Sequence, residues 1–443
     1  MRAVTVIGAG FAGSEAAWAI AQRGVPARLV EMRPAKMTPA HQTGYCAELV
    51  CSNSFKSLSP TSPAGRLKIE MEQLGSLTVP IAKEHAVPAG EALAVDRELF
   101  AKAVSEAIAR HPNIERIEEE TTEVPSDGPT IIATGPLTSD ALAQSISQIT
   151  GQERLHFFDA VSPIVDAASI DYDKVFTSSR YDKGDPGYLN CPMDKEQYEA
   201  FVAAIREAER TPLHSFEDTR FFEGCVPLEE LADRGLKTLS FGPMKPVGLT
   251  DPRTGRRPYA VLQLRPENAQ KTMYSLVACQ TRLKWGEQKR IFQMAPGLEN
   301  AEFVRLGVIH RNTYLDSPRL LDATLQLRTR KDLFFAGQLT GVEGYLESAA
   351  SGIIAGINAA RLALGQEPVA PPPETVLGSL LCYISSYDHQ PFPPMNASWG
   401  LLPHPEPMIK DKGARRAKQL ESAISAMDEF ARNLNERSKN GHS

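Results

Sequence analysis

No stretch of the 443-residue chain approaches 18 consecutive apolar residues, so the sequence offers no membrane-spanning helix. Cysteine is scarce. Cys46, Cys51, Cys191, Cys225, Cys279 and Cys382 show neither CxxC nor zinc-type spacing, so neither a metal site nor a disulfide scaffold is indicated. The net charge is only −6, which argues against wholesale nucleic-acid binding while leaving room for local patches. Internal repeats and long low-complexity segments are also missing. The first β run begins within three residues of the N-terminus, leaving no space for a targeting peptide, and the expected location is the cytoplasm. With 42% hydrophobic and 23% charged residues, the chain reads as globular, and its length implies two or three domains.

What is present concentrates at the start. Ala3–Ile7 is an apolar β run, three glycines open a helix that extends to about Arg23, and a second β run over Ala27–Val30 ends on Glu31. Gly8 permits a tight turn, Gly10 lets a pyrophosphate approach the backbone, and Gly13 lets helix and strand pack closely. Phosphates then sit on the helix N-terminus, where unpaired N–H groups and the dipole favour anions. Glu31 lies 21 residues beyond Gly10, at the distance that suits a ribose 2′-hydroxyl. Strand, helix, second strand and acid in register point to dinucleotide binding.

The pattern returns twice. Asp96–Arg110 reads as an amphipathic helix, and Thr130–Gly135 as a buried strand running into a glycine turn. Near the far end, Asp332–Gly337 is a short buried strand followed by a glycine-rich loop and a helix from about Tyr345 to Leu364. Ala349, Ala350, Ser351, Gly352, Ala355 and Gly356 crowd that helix, small enough for a flat ligand or another backbone to come close. Such a second element, aimed at a flavin, favours FAD over NAD, because its positive end would stabilise the anionic reduced ring. The expected fold is α/β: a Rossmann-like, glutathione-reductase-like FAD-binding domain with an inserted α+β domain. Residues 1–150 and 305–443 would form the FAD-binding domain, and 151–304 the insertion, where composition shifts toward aromatic and charged residues. A stiff Val369–Pro373 linker and a charged helix over Asp411–Asn440 complete the chain. The candidate cofactor contacts are Gly8, Ala9, Gly10, Phe11, Ala12, Gly13, Glu31, Gly135, Gly337, Gly344, Tyr345 and Ser348.

Two cysteines stand in polar or turn settings rather than apolar runs. Cys51 lies in ELVCSNSFK, where Ser52, Asn53 and Lys56 could donate to a thiolate, and Cys225 lies in RFFEGCVP. The other four read as structural. Residues 251–290 hold nine Lys and Arg against three acids, a contrast with the acidic whole. Tyr259, Tyr274 and Trp285 lie among these charges and could stack a flipped base. A second basic cluster runs through Lys410, Lys412, Arg415, Arg416 and Lys418.

With these residues in view, the chain resembles the bacterial folate- and FAD-dependent tRNA uracil-5 methyltransferases, the TrmFO family, relatives of the GidA wobble-uridine flavoproteins. The matching stretches are VTVIGAGFAGSEAAW, ELVCSNSFKS, AVDRELF, FEGCVPLEEL, GPMKPVGL, LFFAGQLTGVEGYLESAASGIIAGINAAR and PMNASWGLL, spread from end to end. The resemblance implies that methylenetetrahydrofolate donates one carbon to carbon 5 of uridine 54 in the tRNA T arm. Reduced FAD would be the reductant and NAD(P)H would regenerate it. By the same resemblance Cys225 is the attacking thiolate and Cys51 a second functional thiol near the flavin, although the two roles could be exchanged. Tyr345 and His389 are candidate stacking partners for the pterin, and Asn53, Arg282 and Lys284 candidate contacts to folate or tRNA. No membrane, metal or stable protein partner is expected. The alternatives are a GidA-like wobble-uridine enzyme, a generic FAD oxidoreductase on a small metabolite, and a non-catalytic binding module.

Overall fold

One six-stranded sheet joins the two ends of the chain. Its order is Gln326–Leu327, Arg330–Phe335, Thr130–Ile132, Val4–Ile7, Ala27–Glu31, Ile114–Glu118, and only the first pair is antiparallel. Val6 stands opposite Leu29 on one side and Ile131 on the other, and Ile131 stands opposite Phe334. At the centre of the sheet Val4, Val6, Ile7, Ile131 and Ile132 are all buried, as a parallel sheet covered on both faces requires, whereas the edge strand Ile114–Glu118 carries Glu115, Arg116 and Glu118. The computed structural model describes residues 2–151, 155–160, 162–182, 186–211, 226–307, 309–389, 392–407 and 409–440. Cys225 lies outside the described residues.

Two helices pack across this sheet, Phe11–Ala21 and Tyr345–Ala363. The small residues of the second serve the first. A Cβ on Gly352 would overlap the Ala12 carbonyl oxygen, and one on Gly356 would lie 2.5 Å from the Ala16 oxygen. Of the two occupants that the small-residue helix could admit, a ligand or a backbone, these two glycines admit a backbone.

A second six-stranded sheet, antiparallel throughout, is built from residues 164–305 in the order Phe176–Thr177, Leu189–Met193, Ala260–Pro266, Met273–Leu276, Ile164–Asp166, Phe303–Arg305. The Lys195–Glu207 helix covers it, started by a capping box between Asp194 and Gln197. Val165, Tyr198, Phe201, Leu262 and Phe292 form a core of their own, separate from the one around Val6, Ile131 and Ile353. A small three-stranded sheet (Ser54–Ser57, Ala92–Val95, Ala86–Val87) adjoins it: Asn53, fully buried, donates from its amide to the Val95 and Pro266 carbonyls at 3.0 Å.

Buried carboxylates cap helices inside the first core. Glu15 accepts from Ser76 Oγ, Leu77 N, Thr78 N and Thr78 Oγ1 at the start of the Thr78–Glu84 helix. Burial pushes its carboxyl up, and these donors only partly offset that. The closing helix Lys412–Asn440 lays Ala423, Met427, Phe430 and Leu434 onto the first core, one face of a 3.6-residue period. Lys412, Arg415 and Arg416 belong to the first turns of that helix.

Candidate active site

The glycine loop ends where the Phe11–Ala21 helix begins, and a cavity opens there, with about 980 Å³ of empty space including the part open to solvent. Gly10, at the N-cap, has nothing within 4 Å of where a side chain would start. The cavity runs from Glu31 and Arg33, past Gly8, Gly10, Phe11 and Ala12, to Gly337, Tyr345 and Ser348, with the Thr134–Ser139 turn as a further wall. It therefore meets the N-termini of two helices, a carboxylate at one end, and open backbone between them, an arrangement that fits FAD. Nine of the twelve candidate cofactor residues line it; Ala9, Gly13 and Gly344 stand behind it as loop, helix packing and N-cap of the Tyr345–Ala363 helix.

Glu31 is already engaged within the chain. Its Oε2 accepts the Ala9 N–H at 2.7 Å and its Oε1 the Arg33 Nε at 2.9 Å, and Arg33 reaches on to Glu48 at 3.2 Å. Burial raises this carboxyl, but Arg33's hydrogen bonds and charge, with the Ala9 N–H, hold it below the usual carboxylate value. The acid thus stays ionised beside the cavity and fixes the glycine loop as well as facing it.

The Cys51 loop lies against the same loop, since Ala47 N–H donates to Ala9 O at 2.9 Å and Val50 lines the cavity. Cys51 is half-buried. Three arginines from distant segments clamp it. Arg97 donates to Leu49 O and Cys51 O at 2.7 and 2.8 Å, Arg305 to Val50 O and Cys51 O at 3.2 Å each, and Arg265 to Ser52 Oγ at 2.7 Å. Glu267, bonded to Arg97, is 2% exposed; burial would raise its carboxyl, yet Arg97 and Arg265 hold it below the ordinary value. The Cys51 sulfur interacts electrostatically with all three guanidinium groups. Tyr345 closes the arrangement: its hydroxyl accepts the Cys51 N–H at 2.6 Å and its ring lies 4.8 Å from Phe11. The sequence singles out neither Arg97, which sits in the AVDRELF stretch, nor Arg305, and it counts Arg265 only among the basic residues of 251–290 offered for RNA contact.

Other candidates fall elsewhere. His389 is exposed, its Nε2 3.3 Å from an Asp388 oxygen, and does not line the cavity. Arg282 is paired with Glu230 at 2.5 Å and Lys284 with Glu209 at 2.5 Å, so both charges are met inside the protein. Asn53 holds two strands together, and its Oδ1 has no partner among the described residues. Burial pushes the Cys46, Cys191 and Cys279 thiols up, which suits inert core residues; Cys382 is exposed. Among the described residues no cluster of His, Cys, Asp and Glu could hold a metal ion. No helix there is long and apolar enough to cross a membrane.

Sheet, paired helices and cavity define a dinucleotide-binding flavoprotein of the GidA type: the family model described as "Glucose inhibited division protein A" matches residues 3–367. The Aquifex aeolicus GidA structure superposes with a TM-score of 0.72 at 18% identity, covering 99% of this chain and 75% of that one. Curated relatives named methylenetetrahydrofolate–tRNA-(uracil-5-)-methyltransferase TrmFO are closer in sequence. The Enterococcus faecalis protein is 58% identical over 93% of this chain and 94% of its own, and that of Ligilactobacillus salivarius 55% identical over 98% and 99%. The chain belongs to the TrmFO family.

Proposed function

We propose that the chain methylates carbon 5 of uridine 54 in the T arm of tRNA, with methylenetetrahydrofolate as carbon donor, reduced FAD as reductant and NAD(P)H as its regenerator. The observation that carries this reading is identity of 55–58% to TrmFO proteins over almost the whole chain. The cytoplasm is its expected site of action, without a stable protein partner.

The chemistry needs a thiol beside a flavin. Carbon 5 of uracil is a poor nucleophile. A thiolate adding to carbon 6 forms an S–C6 bond and moves the ring electrons onto carbon 5 and O4 as an enolate, which attacks an electrophilic methylene. Loss of the carbon-5 proton then breaks the methylene's bond to its carrier and leaves an exocyclic methylene; hydride addition makes it the methyl group, and the electrons returned to the ring expel the thiolate from carbon 6. Bound FAD supplies the relay for the one-carbon unit and the hydride that completes the methyl group. Cys225 is assigned the attack and Cys51 the second thiol role, in proton transfer or in guarding the adduct. Arg97, Arg265 and Arg305 orient the Cys51 loop. Tyr345 holds that loop to the helix facing the flavin.

The test is an assay of the purified protein with unmodified tRNA, NADPH and methylenetetrahydrofolate labelled in the transferred carbon. Label should enter the T-loop uridine, and S-adenosylmethionine should not replace the folate. If label never enters tRNA, the proposal fails.

A further inference from the structure

Beside the Cys51 loop lies a second, shallower depression. Its walls include Trp285, Lys289, Phe303, Val304 and Arg305, together with Val50, which also lines the cofactor cavity. The depression thus shares one wall residue with the cavity. Among the described residues two cations line the depression and no carboxylate does. Trp285 is 63% exposed and Val304 54%, an unusual exposure of apolar surface next to a catalytic cavity. Trp285 opens the Trp285–Phe292 helix and Lys289 follows four residues later, so indole and ammonium share one helix face.

The charges here differ from their neighbours. Arg282, Lys284 and Arg290 are neutralised by Glu230, Glu209 and Glu287. Lys289, exposed, has no ion pair among the described residues. Arg305 uses its two terminal nitrogens on the Val50 and Cys51 carbonyls while its buried Nε finds no partner among the described residues. A net positive, carboxylate-free groove with an exposed indole is the chemistry of single-stranded nucleic-acid binding: bases stack on the ring and phosphates follow the cations.

We propose that this groove holds the RNA strand beside the target uridine, with a flanking base stacked on Trp285 and a backbone phosphate against Lys289. The inference rests on the tRNA reading above and adds the docking surface. Folate is a poorer occupant, because a pterin that reacts through the flavin must lie in the cavity rather than on an exposed rim. A strand pinned at Trp285 would stand next to Val50, where an extruded base passes toward Cys51 and the flavin.

The experiment uses the FAD-loaded full chain and an in vitro transcribed, unmodified tRNA, with affinity measured at several salt concentrations. Trp285→Ala should weaken tRNA binding roughly 5- to 150-fold, and Trp285→Phe should restore most of it. Lys289→Ala should weaken binding and lower the salt slope by about one. The flavin spectrum and folate affinity should stay unchanged in all three. Unaltered tRNA affinity in Trp285→Ala overturns the proposal, as does a loss confined to folate or a change in oligomeric mass. If the unsubstituted protein binds no tRNA, the functional reading falls; if it binds and Trp285→Ala binds equally well, only the groove falls.

Discussion

Two alanine substitutions, each replacing one hydrogen with a methyl, should separate cofactor binding from folding. At Gly356 the new Cβ would lie 2.5 Å from the Ala16 carbonyl oxygen, about 1 Å short of ordinary contact. The three nearest atoms are all Ala16 backbone in a packed helix, so the Tyr345–Ala363 and Phe11–Ala21 helices must move apart. Overpacking of this kind costs roughly 1–3 kcal/mol, and the displaced helix carries Phe11 and Ala12 with it, which line the cavity. At Gly10 the new Cβ meets nothing within 4 Å, and φ is −70°, which alanine adopts freely. The folding cost there is confined to a poorer N-cap, on the order of 0.5–1 kcal/mol. The methyl stands where the phosphates of FAD must reach the N–H groups. Gly10→Ala should therefore purify folded but colourless, with an apo melting temperature close to that of the stripped parent. Gly356→Ala should melt several degrees lower even as apoprotein. Flavin absorbance per chain and thermal melts with and without added FAD measure both. A Gly10→Ala protein that retains full flavin would refute the assignment of the glycine loop as the phosphate site.

Further outcomes are expected. Arg97→Met removes the hydrogen-bonded partner of buried Glu267 together with the donors to the Leu49 and Cys51 carbonyls and should cost roughly 3–5 kcal/mol, part of it recovered in the Arg97→Met, Glu267→Gln double variant; urea unfolding of the four proteins tests this. Iodoacetamide applied to the native protein should label Cys51 and Cys382 while sparing Cys46, Cys191 and Cys279, as peptide mass spectrometry would show. Lys68 is 2% exposed, and burial lowers its ammonium to about 8 from 10.5. Between those values the unfolded chain holds the extra proton, so stability should rise from pH 8 toward 10.5, by at most roughly 3 kcal/mol. Lys68→Met should flatten that rise in denaturant midpoints. Glu31 behaves in the opposite sense: its lowered carboxyl stabilises the fold above the unfolded value near 4.5 and loses that contribution as pH falls through the folded one.

The amino-acid order alone determined the elements that depend on near neighbours. The glycine spacing, the apolar runs Val4–Ile7 and Ala27–Glu31, the Asp96-capped helix and the small-residue helix from Tyr345 all follow from periodicity and backbone sterics acting within a few turns. Glu31 was readable for the same reason, lying a fixed strand and helix beyond the loop it faces. Which charges are free and which are spent was decided only by the tertiary structure. Arg282 and Lys284 count as basic residues in a string of letters, yet Glu230 and Glu209, more than 50 residues away, neutralise them. Arg97, Arg265 and Arg305 look unrelated until the second sheet brings its edge against the Cys51 loop. Electrostatic partnership depends on distance in space, and separations of 46 to 255 residues between clamp and loop carry no local pattern from which it could be read.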